Sequence, residues 1–291
     1  MITYTINSPY GAIDLYLSDK QLSHLSYRLK REFMVLTREE KLINQINAAT
    51  SAKELEELME KRSVCDVSNF SGISLDGLKM ALKVIVRSLY RFPKLRSRMC
   101  YVGTHKAYAN DIGLLMSGNL DIMKDFGLHY LCDPDISRKL GGLVYKMAKD
   151  SLENPESYVA TAINACGFFD ALLLDHNDYN STDYIELMRA VKYNEQTGFH
   201  PKSCTGPDSI IYHELGHLLD DLCSVSASME FAIYCKNLTY NDIATGLSEY
   251  ATTSSQELIA EAFAEYMCSP TPRKIAVDIY NLITRRYKKL K

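Results

Sequence analysis

The chain lacks any apolar run that approaches the roughly 18 residues typical of a membrane-spanning helix. Its opening residues, MITYTINSPYGAIDLYLSD, also lack the basic flank and apolar core of a secretory signal. We therefore expect a cytoplasmic protein without a membrane partner. With 291 residues and 46% apolar content, the chain can bury a sizeable core and form two domains.

An excess of basic residues is also missing. Lys and Arg total 33 against 36 Asp and Glu, which gives a formal net charge of −3. Proteins that bind nucleic acid through its phosphates concentrate positive charge on one face. The balance of charge therefore argues against nucleic acid as a main partner.

Paired cysteines are absent as well, because none of the eight cysteines belongs to a C-x-x-C motif. Many zinc sites and redox centres use such pairs, and disulfide frameworks belong mainly to exported chains. We expect the cysteines to be free thiols.

The pattern of apolar residues predicts a mostly helical N-terminal region, residues 1–93. Alternating apolar residues on both sides of SPYG indicate a short β-hairpin. Helical periodicity and capping residues then predict helices at 19–33, 37–48, 51–62 and 74–91. Pro93 and the basic stretch that follows it mark a boundary.

Residues 94–291 mix strands with helices. Strands are predicted in SRMCYVGT, SYVATAI, DALLLD and IELMRAVKY. Helices are predicted at 105–117, 136–152, 209–223, 229–236, 241–247 and 274–290, besides one after Ser254. The expected fold class is α+β, mostly helical, with a small sheet.

The run IIYHELGHLLDD contains an H-E-x-x-H motif formed by His213, Glu214 and His217. Residues four apart lie on one face of an α-helix, so both imidazoles can bind one metal ion while Glu214 stands beside it. The preceding residues, PDS, favour a helix start at which Ser or Asp caps free N–H groups. The sequence therefore predicts half of a catalytic zinc site.

A second interpretation of the motif is a buried helix with two hydrogen-bonded histidines and a solvated Glu214. Burying two imidazoles and a carboxylate is costly without a metal or a full set of hydrogen bonds. That cost favours the metal site.

A third ligand is expected from the segment SEYATTSSQELIAEAFAEYM. Ser254 or Ser255 can cap a helix there, after which Glu257, Glu261 and Glu265 recur every four residues on one face. Three acidic residues at this spacing also suit a plain solvated face. The two-histidine half-site upstream favours a ligand, because catalytic zinc takes three protein ligands, and two His with one Glu is a standard set.

The spacing of these residues resembles that of a known family. The segment H-E-L-G-H-L-L-D-D, followed by Tyr250 and, seven residues later, Glu257 in E-L-I-A-E-A-F, is similar to gluzincin metallopeptidases related to anthrax lethal factor and the clostridial Pro-Pro endopeptidases. The resemblance implies a zincin-like domain in which His213, His217 and Glu257 bind one Zn²⁺ per chain. It also implies that Tyr250 lies over the metal and that Glu261 supports the site.

This resemblance covers residues 195–270, about a quarter of the chain. A less sharply defined similarity, from Tyr193 to Arg273, is to C-terminal domains of phage head-associated proteins. It indicates an origin in a phage or mobile element and leaves the chemistry open.

The implied reaction is hydrolysis of a peptide bond in a protein or peptide substrate. Zinc in such a ligand set acidifies its water and polarises the substrate carbonyl. Glu214 would act as general base and return the proton to the leaving amine. Tyr250 would donate a hydrogen bond to the oxyanion. The resemblance further implies that an edge strand of the sheet pairs with the extended substrate.

Four other polar residues near the motif each have two interpretations. Asp220 and Asp221 could bond to an imidazole or anchor neighbouring loops, or form an exposed acidic helix end. Cys204 could reach the metal as an inhibitory ligand, or be a small loop residue. His200 could line the cleft, although a lone His beside Pro is more often a surface or packing residue.

Three functions are compatible with these patterns, and a zinc endopeptidase is favoured. A phage-derived structural or interaction protein would use the metal to stabilise its fold, with Cys204 or Tyr250 as a fourth protein ligand. A regulatory protease that cleaves phage repressors also carries H-E-x-x-H. Such proteases usually keep the glutamate ligand closer to the motif and carry a DNA-binding domain, and no helix-turn-helix is evident in this sequence.

Overall fold

The computed structural model describes residues 2–8, 11–17, 27–116, 160–163, 170–175 and 184–290. The chain forms two compact units, Met1–Gln45 and Ile46–Lys291. The division into a helical N-terminal region, residues 1–93, and a zincin-like domain, residues 94–291, stays a prediction. The helix predicted at 136–152 lies outside the described residues.

The hairpin predicted at the N-terminus is confirmed. Strand β1 (Ile2–Ser8) pairs antiparallel with β2 (Gly11–Leu17). One helix follows, α1 (Tyr27–Ala48), where the sequence predicts two, at 19–33 and 37–48. The intervening residues MVL include neither Gly nor Pro, so nothing in them interrupts the helical hydrogen bonds.

Two capped helices agree with their predicted positions. Helices α2 (Ala52–Lys61) and α3 (Leu75–Arg91) begin after Ser51 and Ser74, whose hydroxyl oxygens accept hydrogen bonds from backbone N–H groups of the first turn. A 3₁₀ turn, Pro93–Arg98, follows α3.

A four-stranded sheet forms the β component of the fold. Its strands are β3 (Val67–Asn69), β4 (Tyr101–Thr104), β5 (Ala160–Ile163) and β6 (Ala171–Leu174), in the order β3-β4-β6-β5. Strands β3, β4 and β6 are parallel, and β5 runs antiparallel to β6. Strands β4 and β6 are fully buried. Because β5 is last in the strand order, it is an edge strand within the described part of the sheet. Helix α4 (His105–Met116) follows β4.

The strand predicted in IELMRAVKY is wrong, because this segment lies in helix α5 (Tyr184–Thr197). Leu187 and Val191, four residues apart, are its buried side chains, whereas Ile185 and Met188 are exposed. Burial every four residues is helical periodicity. Glu, Leu, Met, Arg, Ala and Lys, which make up most of the segment, also favour helices over strands.

Two long helices form the centre of the second unit. Helix α6 (Asp208–Cys223) contains the H-E-x-x-H motif, and α9 (Ser255–Cys268) contains the three regularly spaced glutamates. They cross closely at Gly216, where an added Cβ would lie 2.8 Å from the Cα of Ala260. Helices α3 and α10 (Lys274–Lys289) pack against this pair.

Short elements connect α6 to α9. They are α7 (Met229–Cys235), α8 (Tyr240–Gly246) and a 3₁₀ turn, Tyr250–Thr252. Both helices agree with the predicted positions to within one residue. Over the described residues, no helix combines the length and apolar character that crossing a membrane requires.

Candidate metal centre

Helix α6 brings the two motif histidines together. The imidazole rings of His213 and His217 have centroids 4.7 Å apart, and their Nε2 atoms lie 3.0 Å from one another. The helix begins differently from the prediction: its N-cap is Pro207 and no side chain caps it. Ser209 instead donates through its hydroxyl to the carbonyl of Gly206 at 2.7 Å.

Glu257 reaches the same point from helix α9. Ser254 caps that helix as predicted, accepting a hydrogen bond from the N–H of Glu257 at 3.1 Å. The Oε2 atom of Glu257 lies 3.0 Å from Nε2 of His213 and 3.5 Å from Nε2 of His217. These three side chains form a cluster that could hold a metal ion.

The distances in this cluster suit a tetrahedral ion. Ligand atoms 2.0–2.1 Å from a tetrahedral zinc lie roughly 3.3 Å from one another, and the three measured separations run from 3.0 to 3.5 Å. Oε2 of Glu257 is buried and accepts no hydrogen bond, although His213 Nε2 is within 3.0 Å. A buried carboxylate oxygen aimed at two imidazole nitrogens without a hydrogen bond fits a cation shared by all three.

The charges around His213 also favour a cation. Burial lowers the pKa of His213, but the carboxylates of Glu257 and Glu261 outweigh burial and raise that pKa to about 10. Burial likewise raises the pKa of Glu257, and the two imidazoles outweigh it, lowering that pKa to about 2. The carboxylates of Glu257 and Glu261 thus stabilise a positive charge at His213, whether a proton or a metal ion carries that charge.

Glu261 lies behind the cluster, one helical turn after Glu257. It is 1% exposed, and its Oε1 lies 2.8 Å from Nδ1 of His213. Its other oxygen accepts a hydrogen bond from the hydroxyl of Ser248 at 2.8 Å. Burial raises the pKa of Glu261, but hydrogen bonds from His200 and His213 outweigh it and lower that pKa to about 2. Glu257 therefore faces the candidate metal position, and Glu261 orients the imidazole of His213, a candidate ligand.

Glu214 is a buried carboxylate, 8% exposed. Its Oε2 accepts a hydrogen bond from the backbone N–H of Ala162, on edge strand β5, at 2.6 Å. Burial raises the pKa of Glu214, and the two imidazoles oppose that rise. The interpretation with Glu214 in solvent is therefore wrong.

The alternative in which Glu257, Glu261 and Glu265 form a plain solvated helix face is also wrong. Glu261 and Glu265 are each 1% exposed. Glu265 forms an ion pair with Arg273 at 2.6 Å. These burial values leave only Glu257, at 20% side-chain exposure, partly open to the cleft.

Tyr250 lies against the metal cluster. Its ring centroid is 5.9 Å from that of His213 and 5.5 Å from that of His200. Its backbone N–H donates to the carbonyl of Phe199 at 3.1 Å, which ties the 3₁₀ turn to the loop before α6. The structure thus brings together the tyrosine and the histidines that the sequence singled out.

Asp220 and Asp221 anchor neighbouring segments. The carboxylate of Asp220 accepts a hydrogen bond from the backbone N–H of Ser226 at 2.7 Å. That of Asp221 pairs with Arg98 at 2.9 Å. The structure thus shows loop anchoring for the buried Asp220, whereas Asp221 is 40% exposed at the end of the helix and pairs with Arg98 there.

Cys204 lines the cleft but lies outside the His–His–Glu cluster. The neighbouring thiol of Cys268, together with burial, raises the pKa of Cys204. Both are free thiols, as expected from the sequence.

The cluster lines a cleft of about 540 Å³. Edge strand β5 contributes Ala160, Thr161 and Ala162, and helix α5 contributes an apolar wall around Leu187 and Val191. The volume is that of a typical ligand pocket. A short extended segment of a peptide would fit along it.

Sequence reasoning missed three contributors to this site. Ser248 bonds to Glu261 and has no motif to mark it. The backbone N–H of Ala162 is invisible to any pattern of side chains. For His200 the sequence offered cleft lining or a surface or packing role; the structure shows it lining the cleft, and its contact with Glu261 had no signal in the sequence.

Comparison of the chain with protein-family models, with curated proteins and with solved structures finds no match. The resemblance to gluzincins thus depends on the residues quoted for it and stays a prediction.

Proposed function

We propose that the protein is a zinc-dependent endopeptidase with a zincin-like catalytic region. The observation that carries this proposal is the convergence of His213 Nε2, His217 Nε2 and Glu257 Oε2 within 3.5 Å of one another beside the buried carboxylate of Glu214. Two imidazoles and one carboxylate are a standard catalytic zinc set. When bound, zinc supplies a Lewis acid and a water of lowered pKa.

Glu214 is the residue suited to move the proton. It follows His213 directly and is fixed by the N–H of Ala162. A carboxyl whose pKa is raised toward the working pH both takes and returns a proton more readily than a solvated one. We assign it the role of general base toward water and then of general acid toward the leaving amine.

Tyr250 is assigned to the oxyanion. Its ring packs near that of His213, and a phenol can donate one hydrogen bond without carrying charge. Such a donor is most useful where negative charge develops during the reaction.

The edge strand supports a peptide as substrate. In an antiparallel pair, alternate residues direct their N–H and C=O groups away from the partner strand. The N–H of Ala162 points away from β6 and donates to Glu214. The outward N–H and C=O groups of β5 therefore lie on the cleft side of the strand. An extended peptide can pair with such an edge, while the apolar wall of α5 accepts its side chains.

The alternative of a purely structural metal site predicts a fourth protein ligand. Within the described residues, the candidate ligand group holds His213, His217 and Glu257 and nothing further. Cys204, one of the two groups considered for the fourth position, lies outside this group. Three ligands of the His, Cys, Asp and Glu types, the number typical of a catalytic zinc site, favour catalysis.

Metal analysis and a peptide-library cleavage assay test the proposal. Purified protein should contain about one zinc per chain and cleave library peptides, and a chelator should abolish cleavage until zinc is restored. Stoichiometric zinc without any chelator-sensitive cleavage would favour the structural role instead.

A further inference from the structure

One buried carboxylate orients two histidines. Nδ1 of His200 lies 3.2 Å from both oxygens of Glu261, and Nδ1 of His213 lies 2.8 Å from Oε1. His213 belongs to the metal cluster, whereas His200 lies on the loop before α6. Glu261 thus links that loop to the metal position.

The backbone around His200 is held independently of its side chain. His200 N–H donates to the carbonyl of Asn194 at 3.1 Å, and Tyr250 N–H donates to that of Phe199 at 3.1 Å. Gly198, with a φ of +81°, adopts the left-handed conformation that lets the chain leave helix α5 here. The rings of His200 and Tyr250 are therefore fixed side by side, with centroids 5.5 Å apart.

The remaining ring nitrogen of His200 is open. A carboxylate only accepts hydrogen bonds, so Nδ1 carries the hydrogen and a neutral ring has its lone pair on Nε2. Among the described contacts, Nε2 has no hydrogen-bond partner, and it is not one of the buried polar atoms without one. The side chain is 29% exposed and lines the cleft. Nε2 therefore faces solvent in the cleft.

We propose that His200 is a substrate-binding residue whose Nε2 accepts a hydrogen bond from a backbone N–H of the peptide in the cleft. This inference rests on the proposed peptidase function. An extended peptide presents N–H and C=O groups in alternation. The hydroxyl of Tyr250 can donate to a carbonyl and His200 can accept from a neighbouring amide. The two adjacent side chains thus match both polarities of a peptide backbone.

Two substitutions separate this role from simple support of Glu261. In His200→Asn, the side-chain amide can still donate to Glu261 near the position of Nδ1, but nothing replaces Nε2. In His200→Ala both contacts are lost. If His200 only supported Glu261, the Asn variant would behave as wild type. The exposed Lys202 in the same loop provides a control, Lys202→Ala.

The test uses the zinc-loaded protein and a tripeptide hydroxamate, whose binding needs no turnover. We expect His200→Asn to keep its zinc and melting temperature but to bind the hydroxamate about 3- to 10-fold more weakly, the effect of one neutral hydrogen bond. On a cleaved peptide, KM should rise by a similar factor while kcat stays unchanged. Unchanged hydroxamate affinity in His200→Asn would overturn the proposal.

Ester analogues of the hydroxamate locate the contact. Replacing one backbone N–H at a time by oxygen should weaken binding to the wild type at one position, and that loss should vanish in His200→Asn. Losses that are the same in both proteins at every position would contradict the proposal. A wild type that binds the hydroxamate yet cleaves no peptide would refute the peptidase function while leaving the His200 contact measurable.

Discussion

Glu261 accepts a hydrogen bond of 2.8 Å from Nδ1 of His213, on the ring edge away from the candidate metal position. Glu257, one helical turn earlier, meets the other edge of the same ring, with Oε2 3.0 Å from Nε2. Two glutamates of helix α9 therefore contact the imidazole of His213. Because Glu261 fixes the hydrogen on Nδ1, the lone pair of Nε2 points to where Glu257 and His217 converge.

This arrangement predicts unequal effects of substituting the two glutamates. Glu257→Gln removes a ligand, so the variant should lose stoichiometric zinc. Glu261→Gln leaves all three ligands in place but weakens the support of His213, so zinc affinity should fall about 10- to 100-fold. Competition with a chromophoric chelator measures both affinities.

Gln256→Ala provides the control, since Gln256 lies exposed in the first turn of the same helix. It should bind zinc as the wild type does. A Glu257→Gln protein that keeps full zinc affinity while Glu261→Gln loses it would reverse the assignment of ligand and support.

Glu214→Gln should abolish turnover and stabilise the metal-free protein. Burial raises the pKa of Glu214, so the native state prefers the protonated carboxyl and loses stability as pH rises from the unfolded value toward the folded one. Gln keeps an acceptor for the N–H of Ala162 without the buried charge. We expect a gain on the order of 1 kcal/mol near neutral pH.

The pH dependence identifies the cause of that gain. Well below the ordinary pKa of a glutamate, Glu214 is protonated in both states, so the stabilities of wild type and Glu214→Gln should coincide. The difference in the free energy of unfolding between the two proteins should grow as pH rises. Urea unfolding of chelator-treated protein across this range measures it, and a gain independent of pH would exclude charge burial as its origin.

Arg273 should be essential to stability. Its guanidinium donates to the buried Glu265 and also to the carbonyls of Thr245 and Leu247, in the segment that leads to Tyr250. Arg273→Ala would leave a buried carboxylate unpaired, at a cost of about 3 kcal/mol. Thermal unfolding should show a clear drop in melting temperature.

The neighbouring ion pair of Lys274 and Asp278 is the matched comparison. Its separation is also 2.6 Å, but Lys274 is 86% exposed. Lys274→Ala should change stability by no more than about 0.5 kcal/mol. Equal losses in the two variants would mean that burial of Glu265 is not what makes the Arg273 pair important.

The parts of the fold that could be predicted from the sequence are those governed by local rules. Ser51 and Ser254 cap helices as predicted, because a cap needs only the next three residues. The histidine pair could be predicted for the same reason, since a spacing of four fixes a common helix face.

Other parts of the fold and site could not be predicted, because they depend on tertiary contacts or on a periodicity that is ambiguous over a short segment. The segment at Leu187 has apolar residues at both strand-like and helix-like spacings, so its period is ambiguous over nine residues. His200 lies 61 residues from Glu261 in the chain, and no local pattern joins them. The bond from Ala162 to Glu214 uses the main chain, which every residue shares.

The crossing at Gly216 predicts that a single methyl group can weaken metal binding without touching a ligand. An added Cβ would lie 2.8 Å from Cα of Ala260, an atom of the opposing backbone that cannot rotate away. Gly216→Ala must therefore push α6 from α9, and each helix carries part of the metal cluster. We expect a loss of about 1–2 kcal/mol, the cost of overpacking less the gain in helix propensity, together with roughly tenfold weaker zinc binding.

Gly246→Ala distinguishes this backbone clash from the general effect of adding a methyl group. There the nearest atom is also 2.8 Å away, but it is Cδ1 of Ile275, the end of a flexible side chain. That side chain can change rotamer, so stability and zinc affinity should stay within about 0.5 kcal/mol of wild type. Because the two glycines face equal gaps, a difference between their variants isolates the rigidity of the α6–α9 contact, and zinc affinity unchanged in Gly216→Ala would show that the metal cluster tolerates separation of its helices.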